Sequence, residues 1–107
     1  NKVAHRTRSK TGTQTLIQIL KNKIKVIHRG LHLNCCLEQI KVEKKINQNE
    51  IEVLIVPVLK DGSGCRCRCN YELKYFIESL SAQQSYELKI YLNSKATLIE
   101  SKKLSLN

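Results

Sequence analysis

One stretch constrains this chain more than any other: Cys65-Arg66-Cys67-Arg68-Cys69-Asn70-Tyr71-Glu72-Leu73-Lys74-Tyr75-Phe76-Ile77. Its odd positions are three cysteines followed by Tyr71, Leu73, Tyr75 and Ile77, and its even positions are charged or polar until Phe76. An extended chain sends successive side chains to opposite faces, so this period of two describes a strand with one apolar and one charged face. The three thiols open the apolar face. A strand of this kind needs a second layer to cover it, and the rest of the chain offers more strands rather than helices.

Residues 13–20 carry Leu16, Ile17, Ile19 and Leu20, which also fit a helical period; Thr13, Thr15 and the shortness of the run favour a strand. Ile24, Val26 and His28 alternate with Lys23, Lys25 and Ile27 until Gly30 interrupts. Leu37 to Ile46 places Ile40, Val42 and Ile46 on one face and Gln39, Lys41, Glu43 and Lys45 on the other. Asn47-Gln48-Asn49 has hairpin-loop composition. Residues 50–59 form the most apolar run and read as a central strand, with Pro57 marking a place where pairing fails on one side. Lys60-Asp61-Gly62-Ser63-Gly64 is the clearest loop. Tyr86, Leu88, Ile90 and Leu92 alternate again, and a weaker strand surrounds Leu98 and Ile99.

The expected fold is therefore all-β: an antiparallel, immunoglobulin-like sandwich of about seven strands. Leu80 in a connection and Tyr86 opening the next strand fit the corner that such domains make between sheets. Residues 1–12 hold only Val3 and Ala4 as apolar side chains and read as a basic flexible tail, leaving 13–107 as one sandwich domain. With 107 residues, 41% hydrophobic content, no Trp and no Met, one modest and mainly aliphatic core is expected. No apolar run approaches the roughly 20 residues that span a bilayer as a helix. The chain begins at Asn1 rather than Met, which fits a processed or trimmed product and leaves room for a removed leader.

The formal charge is +10, and its placement says more than its size. No acid precedes Glu38, whereas Lys2, Arg6, Arg8, Lys10, Lys21, Lys23, Lys25 and Arg29 do. A solvated basic arm is the plain reading, since no aromatic side chain stands among these bases to stack on nucleotides. The functional reading is a patch for an anionic partner: nucleic acid, an anionic membrane surface or an acidic wall polymer.

The five cysteines cluster as Cys35-Cys36 and Cys65, Cys67, Cys69. Alternate residues of a strand lie about 6.6 Å apart, beyond easy disulfide reach, so any bond is expected to cross from the 65–69 segment to Cys35 or Cys36. One thiol at least is left over. Three readings compete: small buried hydrophobes, one or two disulfides, or a thiolate site for zinc or copper that adds His32 to the cysteines. Plain core filling is disfavoured because Val or Ile would pack as well without the reactivity. Cys67, central in its row, is expected to be a joined residue.

The pattern His32-x-Asn34-Cys35-Cys36, then Cys65-x-Cys67-x-Cys69-x-Tyr71-x-Leu73-x-Tyr75-x-Ile77, then Leu80 and Tyr86-x-Leu88, resembles a group of uncharacterised bacterial cell-envelope proteins. These are small secreted or lipoprotein-type β-sandwich domains, and the resemblance spans roughly residues 26–92. It implies location and fold and no activity. This chain departs from the group in its basicity and in lacking a visible anchor sequence.

No catalytic constellation stands out. His5, His28 and His32 are the only histidines, and His28 shares the parity of Ile24 and Val26, as a core histidine would. Pairing of His32 with a cysteine lacks an accompanying oxyanion-hole segment, and Gly62 and Gly64 are not followed by Lys-Ser/Thr as a phosphate loop requires. The expected function is a non-enzymatic extracellular or cell-envelope binding or structural module with a cysteine cluster at one end of its core. The alternative is a basic domain that binds nucleic acid or another polyanion through its N-terminal third.

Overall fold

A computed structural model describes residues 3–7, 14–81 and 83–106, with the backbone alone for 3–7. Its eight strands are β1 (Val3–Thr7), β2 (Gln14–Ile19), β3 (Ile24–Asn34), β4 (Leu37–Asn47), β5 (Glu50–Leu59), β6 (Arg68–Ile77), β7 (Ser85–Leu92) and β8 (Leu98–Ser105). They form two four-stranded sheets, ordered β1-β6-β3-β2 and β4-β5-β7-β8. The all-β sandwich expected from the alternation is the fold observed.

Two details differ from expectation. Val3–Thr7, assigned by composition to a tail, pairs with β6 over Val3–Lys74 to Thr7–Asn70; residues 1, 2 and 8–12 lie outside the described residues. The pairing of β5 with β7 is parallel, whereas an antiparallel arrangement throughout was expected. Its cause is the route of the chain. After β5 the chain crosses into the other sheet, runs back as β6, and returns as β7 in the original direction, so the crossover that parallel strands require is a strand of the opposite layer.

The core lies between the sheets. Ile24, Val26, Leu31, Leu33, Leu73, Tyr75 and Ile77 from one layer meet Ile51, Val53, Ile55, Tyr86, Leu88, Ile90 and Leu104 from the other. β6 keeps the parity read from its sequence from Tyr71 onward: Leu73, Tyr75 and Ile77 are buried, and Glu72, Lys74 and Phe76 alternate with them. Outward-facing Phe76 carries the Lys23 ammonium 5.2 Å above its ring. Pro57 lies beyond the last β5–β7 pair, Ile55–Leu92, so its missing N–H interrupts no ladder there. The Tyr86 hydroxyl accepts the Ser81 N–H at 2.9 Å, the corner bond that Leu80 and Tyr86 suggested.

His28 is the one polar residue fully buried among those described. Both ring nitrogens are satisfied, Nδ1 by the Thr15 hydroxyl at 3.0 Å and Nε2 by the Tyr75 hydroxyl at 2.9 Å. Desolvation lowers its pKa to about 4 and pushes that of Tyr75 well up, so both groups stay neutral at physiological pH.

β3 is longer than its sequence pattern suggests because Gly30 bends the strand without ending it. His28 pairs with Leu73 and Leu31 with Tyr71, so Arg29 and Gly30 together face Glu72. Gly30 takes φ +73°, a left-handed value glycine adopts freely. This bulge changes the parity of β3: even residues face inward before it and Leu31 and Leu33 after it. The register it sets carries β3 to the cysteine pair.

Candidate functional site at the cysteine-stapled tip

Two connections between the sheets meet at one end of the sandwich. The β3–β4 link carries Cys35 and Cys36, and the β5–β6 link carries Cys65 and Cys67 ahead of Cys69 on β6. Cys35 is bonded to Cys69 and Cys36 to Cys65, with Cα separations of 5.1 and 5.7 Å. Both bonds join the 65–69 segment to the adjacent pair, as strand geometry led us to expect, and one thiol is left over. That thiol is Cys67, which is exposed; its expected role as a joined residue is thus not met. The cause is local. β6 begins only at Arg68, so Cys65 and Cys67 lie in an irregular segment where strand parity does not hold. Cys35 and Cys36 likewise lie between strands, which frees the two neighbours to reach different partners.

Asn34 organises this tip, a role that the sequence motif contains but does not announce. Its Oδ1 accepts the N–H of Cys36 at 2.8 Å and that of Cys65 at 3.2 Å, while its Nδ2 donates to the Cys65 carbonyl. One carboxamide thereby satisfies three backbone groups on the two links, where no ladder is available. Gly64 permits this approach: with φ +70°, it leaves room where a Cβ would stand 3.0 Å from the carboxamide. The Tyr71 hydroxyl, under the tip, donates toward the carbonyls of Asn34 (3.1 Å) and Cys35 (3.3 Å). The backbone adds Cys35 N–H to the Cys67 carbonyl at 3.0 Å and Lys60 N–H to the Cys36 carbonyl at 2.9 Å.

His32, considered with the cysteines as a metal ligand, is on the solvent side of β3. Its Nδ1 meets Asn70 Oδ1 at 3.0 Å. The sulfur grouping closest to a metal site is Cys35, Cys67 and Cys69, whose Sγ atoms lie within 4.8 Å of one another. With the Cys35–Cys69 bond in place, Cys67 is the one thiol of the three able to supply a thiolate. Only reduction of that bond would make three soft donors of the kind zinc or copper takes.

The basic residues lie elsewhere. Lys21 and Lys23 are exposed at the β2–β3 hairpin, at the opposite end of β3 from the cysteines. Lys25 and Arg29 follow on the outer face of β3, where Arg29 Nε is 4.0 Å from a Glu72 oxygen. Lys2, Arg8 and Lys10 are outside the described residues, and Arg6 is described by its backbone alone.

Open cavities lie on the surface of the described residues. One of about 260 Å³ beside the tip is lined by Leu33, Asn34, Leu37, Pro57, Leu59 and Arg68, with Asn93. It falls below the roughly 300–1,000 Å³ usual for small-molecule sites. Another of about 390 Å³ on the outer face of the second sheet mixes Glu43, Lys45, Glu52 and Lys95 around Tyr91, with no nucleophile beside a base. No family model, curated protein or solved structure matches the chain.

Proposed function

We propose that this domain is a non-enzymatic binding or structural module of an extracellular or cell-envelope setting, stapled at one end by its cysteines. The observation that carries this reading is the pair of disulfides across the two links between the sheets. Structural disulfides persist in oxidising compartments. No helix among the described residues is long and apolar enough to cross a membrane. The resemblance of the cysteine pattern to small envelope β-sandwich domains points to the same setting. Intact mass tests the staple directly: reduction should add about 4 Da, two hydrogens per bond. Five thiols titratable in the native protein would overturn it. Stoichiometric zinc or copper in a preparation with the Cys35–Cys69 bond open would favour the metal site of Cys35, Cys67 and Cys69 in its place.

A polyanion-binding reading is favoured by a separate observation. Lys21 and Lys23 are exposed at the β2–β3 hairpin, away from the staple. Nucleic acid, wall polymer or an anionic membrane surface bound there should lose affinity steeply with salt as counterions are released. Heparin retention unchanged both by salt and by a Lys21→Gln/Lys23→Gln substitution would exclude electrostatic binding at the hairpin end.

A further inference from the structure

Cys67 is exposed, and it faces a disulfide. The β3–β6 ladder pairs Leu33 with Cys69 and Asn34 with Arg68. Just beyond the end of that ladder, the Cys35 N–H donates to the Cys67 carbonyl at 3.0 Å. Cys35 therefore has two cysteines beside it: Cys69, to which it is joined, and Cys67, to which it is not. The three Sγ atoms lie within 4.8 Å of one another.

We propose that Cys67 is the nucleophile of a thiol–disulfide exchange at this tip, with the Cys35–Cys69 bond as its substrate. The Cys67 thiolate attacks Cys35 Sγ; a Cys35–Cys67 bond forms, the Cys35–Cys69 bond breaks, and the electron pair leaves on Cys69 Sγ. Cys69 takes up the proton that Cys67 gave. One disulfide and one thiol are present before and after, so no oxidant or reductant is consumed. The Cys36–Cys65 bond is untouched and holds the two links together while its neighbour exchanges. The exchange moves the free thiol from exposed Cys67 to half-buried Cys69. It thereby sets whether the tip presents a nucleophile to disulfides in solution.

The inference rests on the disulfide reading of the tip, and labelling separates the two. The native protein is held at pH 8, where thiolates are more abundant, then quenched with excess maleimide and digested with trypsin. Cleavage after Arg66 and Arg68 places Cys65, Cys67 and Cys69 on three different peptides. The expected result is label on the Cys67 peptide at once and a growing share on the Cys69 peptide until a plateau. Label confined to Cys67 after a day would overturn the exchange and leave the staple standing; label on all five cysteines would overturn both. A Cys69→Ser variant reads the alternative bond itself. It should take up no maleimide, because Cys35 and Cys67 join. Uptake of two maleimides by that variant, with Cys36–Cys65 intact, would show that the alternative bond does not form.

Discussion

His28 is buried without charge between Thr15 and Tyr75, and its neutrality makes stability depend on pH. In the unfolded chain it titrates near the ordinary imidazole value of 6.5; in the folded chain burial holds it at about 4. Between these values the unfolded state binds the extra proton. The stabilising effect is fully present above about pH 6.5 and is lost as pH falls toward 4, on the order of 3 kcal/mol in all. Denaturation midpoints of the wild type should fall over that window, and those of a His28→Phe variant should lack this component. An equal slope in the two proteins would mean that other groups cause it. Asn34 gives a second expectation. Asn34→Ala removes one acceptor and one donor that three backbone groups use, at about 1–3 kcal/mol for each group left unpaired in a buried setting. The variant should unfold at lower denaturant and oxidise with more mispaired cysteines, as a tryptic map would show. The two residues differ in how far the sequence revealed them. His28 was legible from its parity with Ile24 and Val26, because strand burial follows a local period. Asn34 was not, since besides nearby Cys36 its partner is Cys65, 31 positions away on another link, and no periodicity connects them.

Strands whose alternation is unbroken were the legible elements. β6 illustrates both the strength and the limit of that signal. From Tyr71 to Ile77 the inward residues were read correctly, yet the period continues in sequence through Cys65 while the strand begins at Arg68. Gly64 and the carboxamide of Asn34 hold the preceding residues in a link, and the disulfides rather than a ladder fix them. The exposed position of Cys67 follows from that. Leu73→Lys should abolish cooperative folding, because it buries an unpaired charge at a position with no exposed surface. Glu72→Lys, one position away, loses only the long contact with exposed Arg29 and should shift stability by less than about 1 kcal/mol. Similar thermal melts for the two variants would refute the assigned faces. Gly30 is the corresponding test for β3. It reads as a break in sequence because glycine usually weakens a strand, but here its positive φ makes the bulge that keeps Leu31 and Leu33 inward. Gly30→Ala should cost about 1–2 kcal/mol from the left-handed conformation alone, read as a lower denaturation midpoint.

At the scale of the molecule the two disulfides are nested: Cys36–Cys65 spans 29 positions inside the 34 of Cys35–Cys69. That a bond would cross from the 65–69 segment to the pair was readable from reach alone, but which cysteine takes which partner depends on the path of two irregular links and was not. Nesting makes a quantitative prediction. Closing the first loop of about 30 residues removes unfolded-state entropy worth about 4 kcal/mol. Once it is closed, the second bond completes a ring of only a few residues, worth about 2 kcal/mol by the same relation. Either bond alone therefore does most of the work of both. In a Cys67→Ser background, which prevents exchange, Cys35→Ser/Cys69→Ser and Cys36→Ser/Cys65→Ser should each cost about 2 kcal/mol, and all four substitutions together about 6. A domain of this size has a net stability of about 5–15 kcal/mol, so each single-bond protein should stay folded and the bond-free protein should stand near its threshold. Urea unfolding of the four proteins measures this. Costs that simply add would place the effect of the bonds in the folded tip, in packing around Asn34 and Tyr71, rather than in the freedom of the unfolded chain.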